Sequence, residues 1–214
     1  MKSQDIGLLL KLVSLQKREA QRGSDRARKA WPDDWQGWEP EDPPAGGDVL
    51  AQLGALPAFE YSARGLAAET GISKSQISLS LNRCIEIGLA IKDRKLGVPR
   101  ANTKALYEFI LYGLRYVFPA RPGRITRGIA TAFAAPVLQE KLMSAGEFQP
   151  VWADARGNTK GMEVAPLFKS APQAVKRDPE MYALLALVDA IRIGQPRERN
   201  LAAKLLKQHL ELPE

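Results

Sequence analysis

Between Leu66 and Ala90 the chain reads LAAETGISKSQISLSLNRCIEIGLA, and no other stretch leaves so few ways to fold. Its signals are those of two short helices hinged on one glycine. Ser62 can cap a helix over Ala63–Thr70, because its hydroxyl accepts from the unpaired amides of a first turn, and Gly71 can take the left-handed conformation that ends it. Ser73 with Gln76 three residues on has the form of a capping box, which starts a second helix over Lys74–Ile87, and Gly88 stops it. On that helix Ile77, Leu81, Cys84 and Ile85 recur at i, i+4, i+7 and i+8, an apolar stripe that must be covered. Ser73 and Lys74 at its start, and Ser75, Gln76, Ser78, Leu79, Asn82 and Arg83 around the rest, then face outward. A face that serves solubility alone is usually built from Glu and Lys pairs. This one carries amide, hydroxyl and guanidinium groups of the kind that read base edges, with Leu79 suited to a thymine methyl.

After Gly88, GLAIKDRKLGVPRANTKAL predicts a short strand at Leu89 and Ile91, a basic turn DRKLG, and a return at Val98 before Asn102 or Thr103 caps another helix. Lys92, Arg94, Lys95 and Arg100 lie on or beside this hairpin, where they can meet only the backbone or the minor groove of DNA. Helix, turn, helix and basic hairpin together form a winged helix-turn-helix. Here the chain resembles the winged-helix transcription regulators, particularly the MarR-like class, through Leu66, Ala67, Gly71, Ile72, Ser73, Ile77, Leu81, Gly88 and Leu89. The resemblance covers this module and not the whole chain. It implies a regulator that binds double-stranded DNA.

Charge points the same way. From Lys74 to Ala130 eleven basic residues face three acidic ones, Glu86, Asp93 and Glu108, which concentrates here more than the +7 of the whole 214-residue chain. The single cysteine, Cys84, excludes an intramolecular disulfide framework and a cysteine-rich zinc site, and fits a reducing compartment. No apolar run approaches the ~20 residues that cross a bilayer, and IGLLLKLVSLQ is too short and amphipathic for a signal peptide, so a cytoplasmic protein is expected. No nucleotide-binding fingerprint and no pairing of nucleophile with base stands out, and neither an enzyme nor a cofactor is expected.

The expected fold is mainly α with a small β wing: a winged helix-turn-helix domain followed by a mostly helical C-terminal domain. Residues 1–16 supply a first helix, with Ile6, Leu9, Leu10 and Val13 at helical spacing over Gln4–Gln16. Residues 17–48 form an insertion, basic then acidic and rich in proline, whose Trp31, Trp35 and Trp38 either dock, at least two of them, or belong to a disordered loop. The winged module takes residues 49–103, opening on a short helix at Val49–Leu56. Residues 104–214 are expected to dimerise, sense a ligand or hold a partner protein. They begin with an apolar helix, Lys104–Phe118, and a basic loop whose Arg121, Arg124 and Arg127 either grip phosphates or another anion or are simply solvated. Then come a helix from about Ala135 to Ala145 and a hairpin over Gln149–Pro166 turning at Gly157 and Asn158. A helix capped by Asp178 and a last one over Arg197–Leu210 follow. This half is similar to C-terminal regions of uncharacterised bacterial regulators that share the segment from Tyr116 to Pro136, a similarity that supplies no ligand.

Three further residues stand out, the first two with competing readings. Asp189 beside Arg192 is a structural ion pair or a functional carboxylate, Cys84 a core side chain or a redox sensor, and His209 a surface histidine. The function expected is a sequence-specific DNA-binding transcriptional regulator, a homodimeric repressor. The alternative is an antitoxin-like autoregulator that neutralises a partner protein through its C-terminal domain.

Overall fold

The structure, a computed structural model, describes residues 1–21, 35–39, 57–139 and 149–213. The expected helix over 49–56, Trp31, and most of the expected 135–145 helix lie outside these. Mainly helical, with two small groups of strands, the fold is organised around two helices buried on every side. The first is α1 (Ser3–Gln21), in which every residue from Asp5 to Leu15 is buried, Leu8, Lys11, Ser14 and Leu15 included. Expected to be amphipathic and to stop at Gln16, it instead runs five residues into the segment read as insertion. Those extra turns are held by ion pairs: Lys17 to Glu180 at 2.6 Å, Arg18 to Asp178 at 3.2 Å and Glu19 to Arg100 at 2.5 Å.

Against α1 pack α3 (Ala63–Thr70) and α4 (Lys74–Glu86), after a single turn, α2 (Pro57–Glu60). The α3 caps form as the sequence predicts: Ser62 accepts from the Gly65 amide at 3.0 Å, and Gly71, at φ +68°, turns the chain toward α4. A side chain at residue 71 would also press on Ser170, which donates a hydrogen bond to the Thr70 carbonyl. The expected capping box at the start of α4 does not form. Ser73 makes no side-chain cap, and Gln76 accepts instead from Gln4 of α1 at 3.1 Å. The antiparallel hairpin β1 (Ala90–Lys92) and β2 (Pro99–Ala101) follows, one residue later than expected at its start. Its turn is held by Asp93, whose carboxylate accepts from the amides of Lys95 and Leu96.

The apolar segment 104–118 is broken at Gly113 into α5 (Thr103–Tyr112), capped by Asn102, and a single turn, α6 (Leu114–Val117). Residues 104–214 carry more than helices. The stretch expected as a basic loop is the longest strand, β3 (Pro122–Ala130), which pairs antiparallel with both β4 (Pro150–Ala153) and β5 (Thr159–Val164). The last two were expected to form a hairpin, but they flank β3 and meet each other in parallel, Pro150 against Met162 and Val151 against Glu163, which closes a three-stranded barrel. Closure depends on Gly128, which lies opposite both Ala153 and Thr159, because a side chain there would run into the Trp152 carbonyl. A short 3-10 turn (Ala132–Ala134), α7 (Pro136–Gln139) and α8 (Ala171–Val175) then surround the second buried helix, α9 (Pro179–Ile193). In α9 every residue from Met181 to Arg192 is buried, and α10 (Pro196–His209) closes its outer side.

The two insertion tryptophans among the described residues both dock. Trp35 and Trp38 stand edge-on to the Tyr182 ring at 6.1 and 5.8 Å between centroids, with Trp152 on a further side at 6.0 Å. Buried residues of α1, α4, α5, the barrel, α9 and α10 belong to one continuous core.

Candidate nucleic-acid interface

The orientation of α4 is set from within. Ile77, Ser80 and Cys84 form its buried face, while Leu81 is half-buried and Ile85 exposed, so the apolar stripe is narrower than its spacing predicts. Ser80 donates to the Oδ1 atom of buried Asp5 on α1, and Arg83 clasps the same carboxylate, Nε to Oδ2 at 3.0 Å and Nη2 to Oδ1 at 2.6 Å. Burial pushes the Asp5 carboxyl up, but the hydrogen bond from Arg83 and those from the Lys2 amide and Ser80 outweigh it and hold the carboxyl below its ordinary value. Arg83, expected to face DNA, is therefore committed inward and positions the helix.

The solvent face of α4 carries Ser73, Lys74, Ser75, Ser78, Leu79 and Asn82, all exposed, with Leu79 half out of contact with protein at 50% exposure. Gln76 is on the flank and half-buried. With its Oε1 taken by Gln4, only its amide NH2 remains to be offered outward. Asn82 keeps both amide atoms for a partner, the arrangement that adenine N6 and N7 require. Glu86 is exposed one turn beyond Asn82, so a polyanion is tolerated best along the first half of the helix.

On the hairpin Lys92, Arg94 and Lys95 are exposed and make no ion pair among the described residues. Arg100 is different. Its guanidinium is bonded to Glu19 at 2.5 Å and to the Tyr61 hydroxyl at 2.7 Å, stands 5.0 Å from the Tyr61 ring centroid and reaches Asp93 at 3.6 Å. Like Arg83 it is a brace, joining β2 to the end of α1. Of the three arginines expected in a basic loop, Arg124 and Arg127 are in strand β3, whereas Arg121 lies in irregular chain just before it; all three are exposed. Arg124 approaches Glu163 and Arg127 approaches Glu39, each at 3.7 Å.

Elsewhere the polar groups lock the core. Asp178 caps α9 through Met181 and also accepts from Lys11 at 2.7 Å, Ser14 at 2.6 Å and Arg18 at 3.2 Å. The sequence shows the cap but not the cluster, although Lys11, Ser14 and Arg18 at i, i+3 and i+7 do mark a polar stripe on α1. Asp189 accepts from Arg192 at 2.6 Å, Trp152 at 2.7 Å and Thr131 at 3.1 Å, a structural pair that ties α9 to the barrel. Burial pushes its carboxyl up, against the pull of Arg192. His209 is not a free surface residue but half-buried against Glu180 at 2.8 Å. Cys84 is fully buried, and burial pushes its thiol up to about 12, which fits a core side chain and not a redox sensor. Among the described residues no three His, Cys, Asp or Glu side chains are grouped to hold a metal ion, and no helix is long and apolar enough to cross a membrane.

No family model, curated protein or solved structure matches this chain.

Proposed function

We propose that the protein is a cytoplasmic, sequence-specific double-stranded DNA-binding transcriptional regulator of winged helix-turn-helix type, acting as a homodimeric repressor that occludes a promoter. The carrying observation is the outer face of α4. It displays Ser75, Ser78, Leu79 and Asn82 without an intramolecular role for any long side chain, on a helix held rigidly by the Asp5 clasp. A base-reading helix needs both properties, since hydrogen bonds to base edges discriminate only when their geometry is fixed beforehand. Lys92, Arg94 and Lys95 on the hairpin supply the unpaired cations that phosphates attract. One helix reads few base pairs, and a two-fold dimer gains affinity by placing two of them ~34 Å apart in successive major grooves.

The experiment is to sequence genomic fragments retained by the purified protein at physiological salt. Enrichment of an inverted repeat is the expected result; a retained pool without common sequence contradicts base reading. A second reading, an antitoxin-like autoregulator, is favoured by one feature: Tyr112, Tyr116 and Val117 on α5 and α6 are largely exposed, as a face for another protein would be. A second protein co-purifying in fixed ratio from native cells would favour it.

A further inference from the structure

We propose that the outer face of the β3–β5 ladder is a second phosphate-binding surface for duplex DNA, distinct from α4 and the β1–β2 hairpin, and that the Glu39 carboxylate occupies part of it in the free protein. The proposal rests on the DNA-binding reading above and adds a site that reading does not contain. In the antiparallel register Arg127 lies directly opposite Lys160, so the two cationic side chains share one face. Like charges in that position destabilise a ladder, and the fold gains nothing visible in return. Lys160 is exposed and has no ion pair among the described residues. The contact of Arg127 with Glu39, at 3.7 Å between side chains 60% and 62% exposed, is of the weak, screened kind.

Beside the pair runs an open groove of about 480 Å³, lined by Ile125, Thr126, Asn158 and Thr159 as well as by the two cations. A small ligand is usually enclosed on most sides. An open groove with hydroxyl and amide groups around two cations suits the edge of a nucleic-acid backbone.

Glu39 does not reach Arg127 by chance of a long side chain. Its own amide donates to the Arg156 carbonyl at 2.8 Å, the Asn158 amide donates to the Gly37 carbonyl at 2.8 Å, and Trp38 bridges to Gly157 while packing on Tyr182. The backbone thus presents a carboxylate at the spot where a phosphate oxygen would bind, as a tethered competitor.

Five proteins test this, each titrated by fluorescence anisotropy with duplexes of preferred and scrambled sequence between about 50 and 200 mM salt: wild type, R127A/K160A, Lys160→Glu, Glu39→Gln and E39Q/R127A. The double variant is expected to bind both duplexes more weakly, with the slope of log affinity against log salt reduced by about two. Lys160→Glu should weaken binding while raising the melting temperature, since it converts the cross-strand pair to opposite charges and so separates lost binding from lost folding. Glu39→Gln should tighten both duplexes, and the gain should vanish when Arg127→Ala is added. An unchanged slope in the double variant, or Lys160→Glu binding like wild type, overturns the proposal even if wild type discriminates between duplexes. If instead wild type shows no sequence preference but the slope still falls, the base-reading function fails and this surface stands. Wild type binding no duplex overturns both.

Discussion

Asp5, Asp178 and Asp189 are each buried, and each joins two parts of the molecule: α1 to α4, α1 to α9, and α9 to the barrel. A buried carboxylate is costly unless its partners surround it, so losing one side of such a cluster should cost more than making it gained. Burial pushes the Asp178 carboxyl up, but the charges of Lys11 and Arg18 outweigh it and lower it from 3.8 to about 2. A carboxyl lowered in the folded state contributes stability that is complete above its unfolded value and is lost as pH falls through the folded one. Thermal melts should therefore show a loss of about 2 kcal/mol attributable to Asp178 between about pH 4 and pH 2. Asp178→Ala should cost about 3–5 kcal/mol at neutral pH by stripping Lys11, Ser14 and Arg18 of a shared acceptor and leaving buried Lys11 with Glu69, 2.9 Å away, as its remaining carboxylate, and should flatten that acid limb. An acid limb of unchanged depth in the variant would contradict the assignment. The cap was legible in Asp-Pro-Glu at 178–180, because capping is local. The cluster was not, since its partners are more than 150 residues away in sequence, with |i−j| of 167 for Lys11 and 164 for Ser14.

At the scale of elements, the helices and turn from Ser62 to Glu86 were readable because their determinants, Ser62, Gly71 and the Ile77–Cys84 spacing, act within a few residues. The basic residues were countable but not sortable. Sequence puts Arg83 and Arg100 in one class with Lys92, Arg94 and Lys95, and only the distant carboxylates of Asp5 and Glu19 separate them. The two classes should respond differently. Arg83→Ala strips two hydrogen bonds from buried Asp5 and should lower stability by about 1–3 kcal/mol in urea melts. Lys95→Ala should leave stability unchanged and reduce the salt slope of DNA binding by about one. Equal stability of the two variants would contradict the division. The barrel was misread for a related reason. Its strand β3 has its partners on both sides in later segments, and its exposed basic half gives the composition of a loop.

For the molecule as a whole, α1 and α9 read as amphipathic or merely apolar in isolation, and both turn out to be surrounded. That is a property of what packs around them and leaves no separate signal in their own periodicity. The largest apolar side chains still open to solvent include Tyr112 and Tyr116 at 71% and 76%, with Val117 beside them and Glu108 and Arg115 on the same helices. An exposed apolar face of this kind is where the proposed second copy of the chain would pair. Sedimentation should give twice the 23.6 kDa chain mass, and Tyr112→Ser with Tyr116→Ser should return the single-chain mass with the fold intact. A wild type at single-chain mass, with or without DNA, would remove the dimer from the account. The central claim is that α4 reads bases, and it is tested most directly by the ratio of affinities for the preferred and a scrambled duplex at one fixed salt, measured for wild type and Asn82→Ala. The account predicts that the variant loses about 1–3 kcal/mol on the preferred duplex and little on the scrambled one, so that the ratio collapses. An equal loss on both duplexes, or none on either, would contradict it.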